Sequence, residues 1–250
     1  MAVWRPGFPG SSGSPSRWTT ASRVIDLRAA ARQEVQLSLD PPGNRVSSQQ
    51  PSLLYIHGFN SSPASHKARQ LSALMARLGL AGRLRVPALH HHPRQAIAQL
   101  EAAIAELGRP TLVGSSLGGY YATHLAERHG LGAVLINPAV APHRLFEGHL
   151  GPQKNYYSEE TWELTLEHVA ALAELEVPAP TDPARYQVWL QTADETLDYR
   201  QAERYYRACA LRIEAGGDHG FQNFSAHLPA LLAFAGFPAT LWRDIDFSDL

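Results

Sequence analysis

The chain has 250 residues, of which 44% are hydrophobic and 18% are charged, and its formal net charge is −1 at pH 7. This length and composition suit one large α/β domain, and the balanced charge argues against nucleic acid or an anionic membrane as a partner. The one cysteine, Cys209, excludes an internal disulfide and favours a reducing, cytoplasmic compartment. No apolar run approaches the roughly 18 residues that a membrane span needs.

The first 50 residues differ in composition from the rest of the chain. Residues 6–16 consist of Pro, Gly, Ser and one Phe, and they offer almost nothing to bury. The acid-poor, Arg-bearing start also has features of a transit peptide, but its prolines argue against an amphipathic helix. We predict that residues 1–50 are a disordered leader, or that the start codon is placed too far upstream.

A regular alternation of strands and helices is predicted next. Short apolar runs indicate buried strands at 53–56, 84–86, 111–113 and 133–136. Apolar residues at helical spacing indicate helices at 65–78 and 93–107, and residues 120–128 are a further predicted helix that Gly130 can end. This order requires a mostly parallel sheet with helices on both faces, and reactive groups then gather at the carboxyl ends of the strands.

Residues 138–185 interrupt the alternation and show no strong strand. Ser158 is predicted to cap a helix that runs to about Leu175, with Trp162, Leu166, Val169 and Leu172 as its apolar stripe. Because the segment follows a strand that ends at the predicted site, residues 141–185 can form a small helical cap. The alternative is a helix that simply packs on the sheet.

The alternation resumes with a strand at 186–192, a helix at 198–208, a strand at 211–214 and a helix at 225–234. Residues 51–236 therefore form one predicted domain, with the cap as an insertion. Residues 237–250 are predicted to be a surface tail.

The sequence Gly114-Ser115-Ser116-Leu117-Gly118 matches G-x-S-x-G and lies between a predicted strand and a predicted helix. In that context a sharp turn exposes the serine hydroxyl at a strained apex. The flanking glycines avoid collisions with neighbouring elements, and the helix N-terminus behind the serine favours negative charge. We predict that Ser116 is a nucleophile, with a Gly/Ser turn of an ordinary α/β domain as the alternative.

A serine nucleophile needs a base, and the base needs an acid that orients it. On this type of sheet the chain order is Ser, then Asp or Glu, then His, which leaves His219 and His227 among the 12 histidines. His219 lies in a glycine-rich loop after the strand at 211–214, whereas His227 falls inside a predicted helix. This placement favours His219 as the base.

The acid is expected just after the strand at 186–192. Asp194 takes that place, and Glu195 is the reserve. Asp198 fits better as the start of the next helix. Asp218 is adjacent to His219, and adjacent side chains rarely face each other across a hydrogen bond.

The loop His57-Gly58-Phe59-Asn60 follows the first strand, where a second oxyanion donor is expected. The backbone N–H groups of Phe59 and Leu117 would flank the substrate carbonyl oxygen, and one such donor is worth about 3 kcal/mol. His57 lies too early in the chain order to be the base. Lys67 is expected to fix this loop through hydrogen bonds.

The run His90-His91-His92 does not predict a metal site. In an extended loop only His90 and His92 can converge, and no nearby acidic residue or cysteine completes a ligand set. Because the loop follows a predicted strand, lining of the pocket is a second interpretation. No metal or other cofactor is expected.

Several motifs in a fixed order carry a resemblance to a known family. They are His57-Gly-Phe-Asn-Ser-Ser-Pro63 with Lys67, Gly114-Ser-Ser-Leu-Gly-Gly-Tyr-Tyr-Ala122, Asn137-Pro-Ala-Val140, Leu190-Gln-Thr-Ala-Asp-Glu195 and Gly217-Asp-His-Gly-Phe-Gln222. Over residues 52–236 the chain resembles the YqiA-like esterases, small bacterial members of the α/β-hydrolase superfamily. The resemblance implies an α/β-hydrolase fold and serine esterase activity, with Ser116, Asp194 and His219 at the triad positions.

The chain departs from the family pattern at three places. The leader has no counterpart, Ala193 stands where glycine is expected, and His90-His91-His92 replaces a Pro-rich loop. The resulting prediction is a serine esterase that hydrolyses small carboxylic esters through an acyl-enzyme. The alternatives are an acyl thioesterase and a non-catalytic protein that holds a ligand under residues 141–185.

Overall fold

The structure of the protein is a computed structural model that describes residues 50–250. The predicted leader, apart from Gln50, lies outside the described residues. In this part of the chain no helix is both long and apolar enough to cross a membrane.

The described chain alternates strands and helices. The strands are β1 (Leu53–Ile56), β2 (Leu84–Arg85), β3 (Thr111–Ser115), β4 (Ala133–Ile136), β5 (Gly151–Lys154), β6 (Thr161–Leu164), β7 (Tyr186–Gln191) and β8 (Ala210–Glu214). The helices are α1 (His66–Arg77), α2 (Pro93–Leu107), α3 (Leu117–His129), α4 (Pro142–Phe146), α5 (Leu166–Ala173), α6 (Tyr199–Tyr205) and α7 (Leu228–Phe234).

Six of these strands form one parallel sheet in the order β2-β1-β3-β4-β7-β8. β3 lies between β1 and β4, with Ile56 opposite Gly114 and Ser115 opposite Ile136. The residue after β3, Ser116, therefore emerges among the carboxyl ends of three neighbouring strands. The predicted mostly parallel sheet is confirmed.

Both faces of the sheet are covered, because alternate side chains of each strand point to opposite sides. Leu54 and Ile56 of β1 pack into one apolar layer with α2, α3 and α6, and Leu53 and Tyr55 pack into the other with α1 and α7. All four are at most 1% exposed. Burying one such side chain is worth about 1.5–3 kcal/mol, so strands buried on both faces appear in the sequence as continuous apolar runs.

The insertion differs from the predicted single helix. β5 and β6 form an antiparallel hairpin in which Gly151 pairs with Leu164 and Lys154 pairs with Thr161. The hairpin turn holds Glu159 at φ 60°, a conformation that a helix starting at Ser158 cannot contain. The helix is α5, which begins only after Thr165. The prediction of a helix from Ser158 is therefore wrong.

Thr165 explains where α5 begins. Its side chain and the side chain of His168 form a reciprocal cap with the backbone of the first turn. Val169 and Leu172 are buried as the predicted stripe requires, whereas Leu166 is exposed.

Residues 237–250, predicted to be a surface tail, pack against the layer formed by α1 and α7. Phe237 is buried, and Trp242 and Phe247 contact the same apolar cluster. The Gln70 side-chain amide donates a hydrogen bond of 2.8 Å to the carbonyl oxygen of Leu250. The segment therefore covers part of the core.

Candidate active site

Ser116 occupies a sharp turn between β3 and α3. Its backbone angles are φ 55° and ψ −122°, a conformation that is strained for a residue with a side chain. The turn is held by the Ser116 N–H, which donates to the Ile136 carbonyl at 3.0 Å. The Ser116 carbonyl accepts hydrogen bonds from the amides of Gly119 at 2.9 Å and Ala139 at 3.0 Å.

Two glycines allow this turn to pack closely. A Cβ on Gly118 would lie 2.0 Å from the carbonyl oxygen of Ile56, and a Cβ on Gly114 would lie 2.4 Å from the carbonyl oxygen of Gly118. Neither position can carry a side chain while α3 keeps its place on the sheet. The close packing fixes the N-terminus of α3 directly behind Ser116.

The structure brings the three predicted catalytic side chains together. Ser116 Oγ lies 3.0 Å from His219 Nε2, and His219 Nδ1 lies 2.9 Å from Asp194 Oδ2. The Asp194 side chain is only 2% exposed, and its Oδ1 also accepts hydrogen bonds from the amides of Thr196 at 2.9 Å and Leu197 at 2.8 Å. These donors orient the carboxylate and stabilise its charge.

The alternative acids near His219 make other contacts. Glu195 Oε2 accepts a hydrogen bond of 2.9 Å from the backbone N–H of His219, so it holds the backbone and not the ring. The Asp218 carboxylate accepts a hydrogen bond of 2.9 Å from the side-chain amide of Gln222. Neither carboxylate is positioned to orient the imidazole.

The remaining candidates have structural surroundings. His227 is buried, 2.9 Å from Arg212 Nη1 and 3.2 Å from Glu214 Oε1. Asp198 caps α6 by accepting a hydrogen bond of 3.1 Å from the Arg200 amide. These contacts give both residues structural roles and do not involve Ser116.

Two buried side-chain amides hold the loop that carries His219. Asn137, just after β4, donates to the Asp218 carbonyl at 3.0 Å and accepts from the Gln191 amide at 3.0 Å. Gln191, the last residue of β7, accepts from the amides of Asp218 at 3.2 Å and Gln222 at 2.8 Å. Both are 2% exposed. Their role was not predicted, although amides at strand ends beside a site are a usable sequence pattern.

Lys67 supports the same loop from α1. Its ammonium donates a hydrogen bond of 2.6 Å to the Gly220 carbonyl. Burial lowers the pKa of Lys67 to about 8, and the carboxylates of Asp218 and Asp194 oppose this shift. Lys67 therefore contacts the loop of the candidate base, and not the loop after β1 where its role was predicted.

The loop of residues 57–61, which we name the oxyanion loop, runs directly past Ser116. A Cβ on Gly58 would lie 3.1 Å from Ser116 Cβ and 3.6 Å from its Oγ. Phe59 and Leu117 border a cavity together with Ser116 and His219. Leu117 is the first residue of α3, so its amide has no acceptor inside the helix. The two predicted donors thus lie beside the serine from two different elements.

Two cavities meet at Ser116. One of about 590 Å³ is bordered by polar groups that include Lys67, Asp218 and Gln222. The other, of about 490 Å³, lies under the insertion and is bordered by apolar side chains that include Leu145 and Leu150. Both volumes are typical of small-molecule sites.

The three consecutive histidines lie behind the oxyanion loop. The His91 ring stacks on Trp162 with 4.6 Å between ring centroids, and its Nδ1 lies 3.1 Å from His168 Nε2. His90 and His91 border a separate cavity of about 40 Å³. Among residues 50–250, no group of three or more His, Cys, Asp or Glu residues is arranged to hold a metal ion.

Solved structures share this architecture. The α/β-hydrolase domain-containing protein 10 from mouse is 14% identical, with a TM-score of 0.56 over 73% of this chain and 89% of that one. Est1E from Butyrivibrio proteoclasticus, solved with ferulic acid bound, is also 14% identical, with a TM-score of 0.56 over 75% of this chain and 87% of its own. The fold is an α/β-hydrolase fold, as predicted.

A relative matched over almost its whole length supports the sequence resemblance. A UPF0227 protein from Shewanella oneidensis is 25% identical over 197 residues, which cover 73% of this chain and 98% of the relative. The model of the uncharacterised protein family UPF0227 matches residues 52–236, the same range as the motifs described above, and confirms the resemblance. The chain therefore belongs to the UPF0227 family.

Proposed function

We propose that this protein is a serine esterase that hydrolyses small carboxylic esters. The observation that carries the proposal is the continuous contact from Asp194 through His219 to Ser116, at 2.9 Å and 3.0 Å. The three residues follow strands β7, β8 and β3 and occur in the chain order Ser, Asp, His that this fold uses. The shared fold adds no argument for activity, because it hosts many functions.

In the acylation step, Ser116 Oγ attacks the ester carbonyl carbon while His219 Nε2 takes the hydroxyl proton. The carbonyl electron pair moves to the oxygen, where the Phe59 and Leu117 amides donate hydrogen bonds to the developing charge. Asp194 stabilises the imidazolium. When the tetrahedral intermediate collapses, the bond to the alcohol oxygen breaks, and that oxygen receives the proton from His219.

Deacylation repeats the sequence with water. His219 takes a proton from the water as its oxygen attacks the acyl carbon, and the oxyanion again faces the two amides. Collapse of the second intermediate breaks the bond to Ser116 Oγ, which recovers its proton from His219. The carboxylic acid then leaves, and the two cavities beside Ser116 provide space for the acyl and alcohol parts.

Hydrolysis of 4-nitrophenyl acetate, butyrate and octanoate tests the proposal, with fluorophosphonate labelling of the same samples. We expect turnover and labelling in the wild type and loss of both in Ser116→Ala. Ser115→Ala is the matched control, because Ser115 is the neighbouring buried serine at the end of β3. We expect it to keep both activities.

Two results would contradict the proposal. Equal background hydrolysis by wild type and Ser116→Ala, with no labelling of either, would favour the non-catalytic ligand-binding protein. Much faster Ser116-dependent cleavage of a butyryl thioester than of the matching oxygen ester would favour a thioesterase.

A further inference from the structure

Asn60 lies between the candidate oxyanion donor Phe59 and the insertion. It is 8% exposed and has φ 49°, in the left-handed region that asparagine adopts more readily than most residues. Its Oδ1 accepts a hydrogen bond of 2.9 Å from Trp162 Nε1, and its Nδ2 donates one of 3.2 Å to Gln153 Oε1. Both ends of the side chain are therefore engaged far from residue 60 in the chain.

These two partners belong to opposite strands of the hairpin. Gln153 in β5 and Trp162 in β6 are paired directly across from each other. The Tyr156 amide donates to the Asn60 carbonyl at 3.0 Å, and Asn155 Nδ2 donates to the Ser61 carbonyl at 3.0 Å. Four hydrogen bonds thus connect two residues of the oxyanion loop to the hairpin.

The Phe59 side chain is fixed by the same insertion. Its ring lies 4.6 Å from the ring of Phe146 and 5.5 Å from the ring of Trp162, centroid to centroid, the latter edge to face. The backbone that precedes it passes against Ser116 at Gly58. The orientation of the Phe59 amide is thus set by the insertion on one side and by the nucleophile turn on the other.

We propose that Asn60 is a positioning residue, which holds the Phe59 amide in the geometry of an oxyanion donor by binding both strands of the hairpin. The inference rests on the proposed function, because it concerns the same site. An oxyanion donor is effective only when it points at the position of the developing charge, and small displacements reduce the rate strongly. The hairpin then helps to position an oxyanion donor, in addition to bordering the cavity beside Ser116.

The test compares Asn60→Ala and Trp162→Phe with wild type on 4-nitrophenyl butyrate. We expect kcat to fall about 100-fold in Asn60→Ala, as for a lost oxyanion donor, and about tenfold in Trp162→Phe, which removes the indole N–H that donates to Asn60 and replaces the indole with a smaller aromatic ring. KM should stay within about twofold in both, since the interaction acts in the transition state. Asn60→Asp keeps the acceptor for Trp162 and should recover part of kcat.

Trp242→Phe is the matched control. It removes the same type of hydrogen bond, from Trp242 Nε1 to the Phe237 carbonyl at 3.2 Å, in the C-terminal segment. We expect its kcat to equal that of the wild type. The rate of fluorophosphonate labelling should fall in Asn60→Ala by the same factor as kcat, because phosphonylation develops charge on the same oxygen.

The outcomes separate this inference from the proposed function. If wild-type hydrolysis requires Ser116 but both Asn60→Ala and Trp162→Phe keep kcat within twofold, the positioning role is wrong and the esterase stands. A raised KM with unchanged kcat would also overturn it. If Asn60→Ala does not fold, as judged by thermal unfolding, Trp162→Phe and Asn60→Asp decide. Absence of Ser116-dependent turnover in the wild type would contradict the proposed function itself.

Discussion

The two halves of the candidate site are held by different parts of the molecule. The loop of His219 is held by Asn137 and Gln191, which are 2% exposed and lie at the ends of core strands. The oxyanion loop is held by the hairpin, whose turn residues Tyr156 and Tyr157 are 78% and 48% exposed. The acid–base half, which consists of Ser116, Asp194 and His219, is therefore held by the sheet. The oxyanion half, residues 57–61, is held by the insertion.

The two halves should differ in their sensitivity to mutation. The positions of Asn137 and Gln191 are set by the register of a six-stranded sheet. A two-stranded hairpin is marginally stable alone, so β5 and β6 depend on their contacts with the domain. We therefore expect changes in the insertion to act on the oxyanion half and to spare the acid–base half.

The largest loss of activity is expected from a change in the acid–base half. Asp194→Asn should lower kcat about 10⁴-fold, because the amide favours the wrong tautomer of His219. The fold should persist, since the Asn oxygen can still accept from the amides of Thr196 and Leu197. Activity assays measure the loss of kcat, and thermal unfolding measures whether the fold persists.

Glu195→Gln is the matched control for this change. Its amide oxygen can keep the hydrogen bond from the His219 N–H, and kcat should stay within a few-fold of wild type. Near-normal activity in Asp194→Asn, with loss in Glu195→Gln, would instead assign the acid role to Glu195.

Lys67→Met should produce a smaller effect on the same half. It removes the hydrogen bond to the Gly220 carbonyl, and a bond from a charged donor is worth about 1.5–3 kcal/mol. Because Asn137 and Gln191 still hold the loop, we expect only about a tenfold loss in kcat. A loss as large as that of Asp194→Asn would show that α1, and not the sheet, positions His219.

The pH dependence of stability gives a second measurement on Lys67. Its pKa falls from 10.5 to about 8 on folding, so between these values the unfolded chain binds more protons. Stability of the wild type should therefore rise with pH through this window relative to Lys67→Met. An equal change in the free energy of unfolding of the two proteins from pH 8 to 10.5 would contradict the lowered pKa of Lys67.

The acid–base half could be predicted from the sequence because it depends on local pattern and chain order. A strand, the G-x-S-x-G turn and a helix identify Ser116, and the order of strands then selects Asp194 and His219. The buried strands were equally readable, since β1 and β4 are continuous apolar runs with the predicted bounds. These features need no knowledge of distant contacts.

For the oxyanion half, the sequence predicted that Phe59 and Leu117 lie beside Ser116, but not the contacts that hold the loop. The hydrogen bond from Trp162 to Asn60 joins residues 102 positions apart, and no local sequence pattern predicts it. The hairpin was also missed, because Trp162, Val169 and Leu172 fit a helical spacing although they belong to β6 and α5. The contacts that fix an insertion are tertiary, so its local sequence underdetermines it.

The smallest expected effect concerns the pair formed by His91 and His168 behind the hairpin. Their nitrogens lie 3.1 Å apart, so one must accept a hydrogen bond and at least one ring must be neutral. Burial lowers the pKa of both rings, and the neighbouring charges of His90 and His92 lower it further.

Two carboxylates oppose these shifts without reversing them. Glu160 raises the pKa of His91, and Glu167 raises that of His168 and lies 3.6 Å from His92. Because the folded pKa values lie below 6.5, the unfolded chain takes up more protons as the pH falls through that value. The stabilisation is therefore complete above pH 6.5 and is lost below it.

His91→Phe should keep the stack on Trp162 and remove one of the titrating rings. We expect its melting temperature to fall less than that of wild type between pH 7.5 and 5, with His66→Phe, an exposed position on α1, behaving as wild type. Amide hydrogen exchange should place the wild-type loss in residues 151–164 and in α5 and not in β4 or β7, because both rings contact Trp162 of β6 and His168 belongs to α5. An equal fall in melting temperature in all three proteins would mean that the histidine pair does not make the hairpin sensitive to acid. The two halves of the site would then differ in their response to mutation but not in their response to pH.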